Sequence, residues 1–286
     1  MIGFDKTLRK LCDASVRDYI NPYDHIDWPE SIDFDQWFMS PELISLYGTE
    51  AYDKLTDAEK KKLSFYEAVN FFSLNINGEK SLVQGLAERL YKRNNDEINN
   101  YLHHFLDEEN KHMVYFGQFC TRYAAKIYPD KKMYFPREYE PGEQDFLFFA
   151  KVLVFEEIVD VYNVAMSRDE RVMPLARQIN LLHHRDEARH LVFGRQVVKD
   201  LFNSRSSGWP TETKQRVQDY LNSYLCAAWK EYYNPEVYRD AGIEDPYEVQ
   251  ESAYENCNAR EHRKRVSEGC VRYLLKNGML REEPAL

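Results

Sequence analysis

Two short segments of the chain carry the same pairing of side chains. Asp107-Glu108-Glu109-Asn110-Lys111-His112 and Arg185-Asp186-Glu187-Ala188-Arg189-His190 each contain Glu-x-x-His. Residues three apart share one face of a helix, so each pair can offer a carboxylate oxygen and an imidazole nitrogen to a single metal ion. A predicted helix before the motifs adds Glu79, and one between them adds Glu156 or its neighbour Glu157, which is one further carboxylate for each of two metals. Two divalent irons bring four positive charges, which four carboxylates offset while imidazoles complete the donor set. A third imidazole is available from His183 or His184. His183 lies one turn before Glu187 and a further turn from His190, on a narrow stripe of one helix. Phase alone settles neither Glu156 against Glu157 nor His183 against His184.

A lone Glu-x-x-His is common on solvated helices. Here both copies sit among apolar residues: Leu102, Phe105, Phe116 and Phe119 around the first, Leu181, Leu182, Leu191 and Val192 around the second. Acids in such surroundings face a steep desolvation cost unless a cation compensates. Glu108 and Asp186 precede the two motif glutamates in the same way and read as hydrogen-bond partners for ligand imidazoles, with Asp160 as a supporting acid for Glu156. His104 belongs to a polar face. His25, His103 and His262 have no partner at ligand spacing and read as ordinary polar residues.

The elements that must position these groups are helices. Thr56-Asp-Ala-Glu59 is a capping box, and apolar residues follow at helical spacing through Phe65, Val69, Phe72, Leu82, Leu86 and Leu90. Gly78 interrupts this first core helix and marks a bend or a close approach. A second helix is predicted from about Asp96 to Ile127, a third from Gln144 to Met166, and a fourth from near Asp169 to Phe202. Four long helices with short connections imply a bundle. Trp209-Pro210 opens a further helix to about Tyr233, and a last one covers roughly Tyr247 to Leu275. Residues 20–40 show no periodicity and read as an irregular arm. The division is one domain over 1–286: an N-terminal arm (1–55), a metal-binding helix core (56–205) and C-terminal helices (206–286).

Composition agrees with an all-α chain: 286 residues are 43% hydrophobic but hold only 11 Gly and 11 Pro. A net charge of −10, without a Lys/Arg cluster among aromatics, excludes a nucleic-acid partner. Five scattered cysteines read as reduced cytosolic thiols. The N-terminus lacks the apolar stretch of a signal peptide and no segment reaches the ~20 apolar residues of a membrane span, so a cytoplasmic location is expected. Among 21 Tyr and 16 Phe, Tyr66, Phe72, Tyr115 and Phe155 are the candidates for a substrate pocket.

The run Phe155-Glu156-Glu157-Ile158-Val159-Asp160, through Asp169 and Pro174-Leu175, to His183-His184-Arg185-Asp186-Glu187-Ala188-Arg189-His190 resembles the p-aminobenzoate N-oxygenase family of di-iron oxygenases. The resemblance is specific over roughly residues 60–200. It places the third-helix ligand on Glu156 and the extra histidine on His183, giving the metal set Glu79, Glu109, His112, Glu156, His183, Glu187 and His190. It implies a ferritin-like four-helix bundle with additional N- and C-terminal helices, two Fe ions per chain, O2 as co-substrate and an external electron donor such as a ferredoxin or a reductase. The implied reaction oxidises a small aryl or amino-acid-like amine to a hydroxylamine or nitro product, the amine being free or tethered to a carrier protein, and a homodimer is compatible with it. The competing functions are a di-iron C–H hydroxylase or desaturase, and a ferritin-like iron oxidase or store, which the chain length and the irregular C-terminal third disfavour.

Overall fold

The computed structural model describes residues 2–92, 95–130 and 138–286, without the side chains of residues 2 and 3. The helices are α1 (Ile2–Arg17), a single turn α2 (Glu50–Asp53), α3 (Asp57–Ala87), α4 (Asp96–Phe119), α5 (Glu143–Arg168), α6 (Pro174–Arg205), α7 (Thr211–Tyr232), α8 (Pro235–Ala241), α9 (Pro246–Glu255) and α10 (Cys257–Lys276). Among the described residues β-pairing is confined to one isolated bridge, Trp37 with Val172. The chain is all-α.

Local chemistry sets the helix ends. Thr56 accepts from the Glu59 amide at 3.3 Å while Glu59 accepts from the Thr56 amide at 2.8 Å, so the capping box starts α3 where it is expected. Asn95 caps α4 by accepting from the Ile98 amide at 3.0 Å. α4 ends earlier than Ile127: its last turn widens into a π-helical turn over Cys120–Ala124 and stops at Ala125, which is left-handed at φ 49°. α6 begins at Pro174 rather than near Asp169, because proline presets the first helical φ and needs no amide partner. Asp169 instead accepts from the Arg171 amide and guanidinium in the preceding turn.

α3 to α6 form the bundle. Gly78 of α3 lies against Phe155 of α5, and Gly85 against Phe148: an added Cβ would meet those rings at 2.6 and 2.0 Å. The two contacts ascend α3 while descending α5, so the helices are antiparallel, and Gly78 marks a close approach. α3 and α4 form a hairpin through 88–95, and α5 and α6 another through 169–173. Consequently α4 and α5 are parallel and need a crossover, residues 120–142, longer than the 128–143 that the expected helix bounds left; its residues 131–137 lie outside those described. One long crossover is characteristic of a ferritin-like bundle.

Residues 20–40 are largely irregular, as expected, and α1 in the arm is an additional N-terminal helix of the kind the family resemblance implies, at bounds that the apolar spacing did not mark. Its Phe4, Leu8, Leu11 and Ser15 face inward and it packs on α4 and α6. The C-terminal third is more divided than the sequence suggested, with α8 inserted before α9 and α10 parted from α9 at Asn256. α7 and α10 lie against α5, and α8 against α3.

Candidate metal centre

All seven side chains of the expected set are buried in the bundle, none more than 2% exposed. α3 contributes Glu79, α4 Glu109 and His112, α5 Glu156, and α6 His183, Glu187 and His190. Their donor atoms converge in three overlapping groups, Glu79–His112–His183, Glu109–His112–Glu187 and Glu109–Glu156–His190, with the atoms of each group within 4.8 Å of one another. Glu109 therefore reaches the imidazoles of both motifs, whereas the spacing suggested that each Glu-x-x-His serves one metal. Helical phase gives the face of a residue but not what the opposing helix brings to it.

Each imidazole turns one nitrogen to the cluster and the other to a supporting side chain. His190 Nδ1 lies 2.9 Å from Glu109 and 3.3 Å from Glu187, while its Nε2 is 2.8 Å from Glu108. His112 Nδ1 faces Glu187 at 3.6 Å and its Nε2 meets Asp186 at 3.1 Å. His183 Nε2 lies 2.8 Å from Glu187, and its Nδ1 is 2.9 Å from the Asn163 amide. Such outer partners fix ring orientation and tautomer. With Nε2 on a metal, His183 Nδ1 carries a proton and needs an acceptor. Asn163 Oδ1 makes no hydrogen bond among the described residues, so turning over the interchangeable amide supplies one.

Glu108 and Asp186 thus occupy the supporting positions read from the sequence. Beyond them lies a layer that the reading missed. The buried Lys111 donates to Asp186 at 2.6 Å, and Arg189 donates to Glu108 at 2.5 Å and also to Asp186. The signal was present, since both segments read acid-Glu-x-cation-His. Asp160 does not support Glu156; it pairs with His184 at 2.6 Å. Glu157 accepts from Arg195 at 2.6 Å, so both competing residues are engaged away from the cluster. Leu181 and Val192, expected among the apolar flanks, point outward.

The electrostatics call for cations. Both carboxylate oxygens of Glu79 and of Glu156, Oε2 of Glu187 and Nδ1 of His112 are buried without a hydrogen bond among the described residues. Burial, reinforced by Glu109 and Glu187, pushes Glu79 far above the usual carboxylate range, and burial with Glu187 does the same to Glu156. Glu187 is held low against burial by His190 and His183. His190 is held protonated against burial, first by Glu187. Four carboxylates and three imidazoles at this spacing fit two divalent cations, whose charge would compensate the buried, unpaired oxygens.

Apolar rings close the site. Phe105 stacks on His190 with centroids 3.9 Å apart, and Phe116 sets its ring against His183 at 4.9 Å with Phe72 stacked behind it. Of the four pocket candidates, Phe72 takes part in this wall, Phe155 fills the space over Gly78, Tyr66 packs on Phe65, and Tyr115 is fully buried with its hydroxyl unpaired among the described residues. None of them lines the flank cavity considered below.

Residues 4–278 match the family described as p-aminobenzoate N-oxygenase AurF. The chain belongs to that family. It is 24% identical over 204 residues to the uncharacterized protein Rv0885 of Mycobacterium tuberculosis and to the uncharacterized protein Mb0909 of Mycobacterium bovis, each match covering 67% of this chain. The match covers 59% of each of these curated relatives, so the chain spans about three-fifths of their length. An R2-like ligand-binding oxidase with a reconstituted Mn/Fe cofactor shares the fold at a TM-score of 0.50 and 17% identity, over 96% of this chain and 93% of that one. The fold is that of a ferritin-like bundle. No helix among the described residues is long and apolar enough to cross a membrane.

Proposed function

We propose that the chain is an O2-dependent oxidase with two metal ions held by Glu79, Glu109, His112, Glu156, His183, Glu187 and His190, and that it oxidises the nitrogen of a small aryl or amino-acid-like amine. Family membership supports an oxidase of the dinuclear ferritin-like type. The single observation that carries the site assignment is the convergence of these seven buried side chains from four helices with most of their donor atoms unpaired.

When bound, reduced metals would supply electrons to dioxygen, and an external donor such as a ferredoxin or a reductase would restore them. The protein does the remaining work. The four carboxylates Glu79, Glu109, Glu156 and Glu187 would offset the charge of two dications. Glu108, Asp186 and Asn163 hold the three rings with one nitrogen inward. Despite burial Glu108 is held below and Asp186 well below the usual carboxylate range, first by His190 and His112 respectively and then by Arg189 and Lys111. Phe105, Phe116 and Phe72 exclude water from the inner face. No side-chain nucleophile is required.

The third imidazole, His183, is the feature on which the preference for nitrogen oxidation over C–H chemistry rests. The test is to load the protein anaerobically with Fe(II), expose it to oxygen with a panel of aryl and aliphatic amines, and analyse products by mass spectrometry. Hydroxylamine or nitro products from wild type, and their loss in a folded His183→Ala variant, are expected. Oxidation only at carbon would overturn the nitrogen assignment, and a better yield with manganese plus iron than with iron alone would replace the di-iron assignment by a mixed one.

A further inference from the structure

A cavity of about 420 Å³ lies on the flank of the bundle, between residues 39–47, α3, α5, the end of α7 and α10. Glu67, Phe71, Tyr162, Tyr232, His262 and Arg265 are among the residues that line it. It is not the metal centre seen from another side. At about 1.5 Å and 100° per residue, Glu67 stands roughly 18 Å from Glu79 along α3 and about a third of a turn around it, and Tyr162 is likewise turned away from Glu156 on α5.

Glu67 is the unusual group here. It is 4% exposed, and its Oε1 accepts from the Ser45 amide at 3.2 Å and from the Ser45 hydroxyl. Its Oε2 makes no hydrogen bond among the described residues, and no Lys or Arg there forms an ion pair with it. Of the other charges on the wall, Glu42 pairs with Arg171 and Glu261 with Lys264, while the Arg265 guanidinium donates to His262 Nδ1 and is not among the groups that act on Glu67. His262, whose Nε2 meets the Tyr162 hydroxyl at 3.1 Å, is lowered to about 4 by burial and then by Arg265 and Arg263, so it is neutral and offers Glu67 no charge. Beside this carboxyl stand three aromatic rings, with Phe71 5.3 Å from Tyr162, Tyr162 5.1 Å from Tyr232 and Phe71 6.4 Å from Tyr232.

A buried carboxyl that faces a cavity without a cationic partner of its own, beside clustered aromatic faces, matches the chemistry of an ammonium group on an apolar body. We propose that this cavity is a second ligand site, separate from the metal centre, which binds a small cationic amine with its ammonium on Glu67 and its apolar part against Phe71, Tyr162 and Tyr232. Burial pushes the empty-site carboxyl of Glu67 up to about 8, so the group holds a proton at neutral pH and releases it to the solvent when the cation arrives. The assignment does not depend on which atom the metal centre oxidises.

The probe is 2-phenylethylamine, titrated calorimetrically into metal-loaded protein at pH 7, with 2-phenylethanol and 3-phenylpropionate as neutral and anionic controls. The amine is expected to bind with release of close to one proton, detected as a dependence of the heat on the ionisation enthalpy of the buffer. Both controls should bind at least about tenfold more weakly, the difference of one charged hydrogen bond. Glu67→Gln keeps an acceptor for Ser45 and should lower amine affinity by a similar factor and abolish the proton release, with metal content unchanged. Tyr232→Leu, at a half-buried wall position, should weaken the amine several-fold and covers the case in which Glu67→Gln does not fold. The proposal is overturned if wild type does not bind the amine at millimolar concentration, if it takes the alcohol equally well, or if the variants bind the amine as wild type does. The last result would place any bound amine at the metal centre instead, and leaves the oxidase reading standing.

Discussion

Replacing Asp186 by Asn tests the charged layer beneath the imidazoles. Asp186 is 4% exposed and is shared by Lys111 at 2.6 Å, His112 at 3.1 Å and Arg189. Asparagine keeps the shape and removes the charge. Arg189 retains Glu108, but Lys111, 3% exposed, loses its one ion pair among the described residues. Breaking a buried pair from one side costs about 3–5 kcal/mol, because the surviving charge stays desolvated. Against a total stability of about 5–15 kcal/mol for a typical domain, this should be visible as a large drop in the urea midpoint of metal-free protein at pH 7. Removing both charges leaves no orphan, so Lys111→Met with Asp186→Asn should recover most of the loss. Lys111→Met alone should also be costly, so the coupling energy from the cycle should be at least about 3 kcal/mol. A single-variant loss below about 1 kcal/mol, or two losses that simply add in the double variant, would refute the assignment of Asp186 as the counter-ion of a buried lysine.

Glu156→Ala should remove one metal ion from the loaded protein, while Glu157→Ala, which only frees a half-exposed Arg195, should keep full metal content and lose at most about 1 kcal/mol of stability; equal metal loss in the two would return the α5 ligand to an open choice. Gly78→Ala places a Cβ 2.6 Å from Phe155, so it should destabilise by about 1–3 kcal/mol in chemical denaturation and be relieved by Phe155→Leu, and an unchanged midpoint would show that α3 and α5 are not in close approach here. Glu67 is raised by burial from about 4.5 to about 8, so the folded state binds the proton more tightly than the unfolded one. Its stabilising share is complete below pH 4.5 and is lost as pH rises through 8, up to about 5 kcal/mol from a shift of this size. Wild-type stability should therefore fall between pH 5 and 8 relative to Glu67→Gln in paired thermal melts without amine, and parallel curves would show that Glu67 is already ionised.

Much of the centre was legible because it is local. Glu109 with His112, and Glu187 with His190, are set by three-residue spacing, and the capping box at Thr56 fixed the start of α3 through hydrogen bonds within one turn. What was not legible depends on the facing helix. Whether Glu156 or Glu157 enters the cluster depends on α6 presenting Arg195 to one and the donor stripe to the other. Asn163 carries no motif, and only the fold brings it to His183. An additional N-terminal helix follows from the resemblance, but the position of α1 is hard to read from its residues because the inward Phe4, Leu8 and Leu11 are separated by charges. Glu67 sits within an otherwise apolar stretch, and its meaning comes from the arm and α10, which close the cavity around it.

Metal content measured by mass spectrometry after anaerobic iron loading and desalting bears most directly on the dinuclear centre. Wild type should hold two ions per chain, and Glu109→Ala should lose at least one, because Glu109 belongs to two of the three donor groups. One ion or none in wild type, or full occupancy in folded Glu109→Ala, would contradict a pair of metals held by these seven side chains.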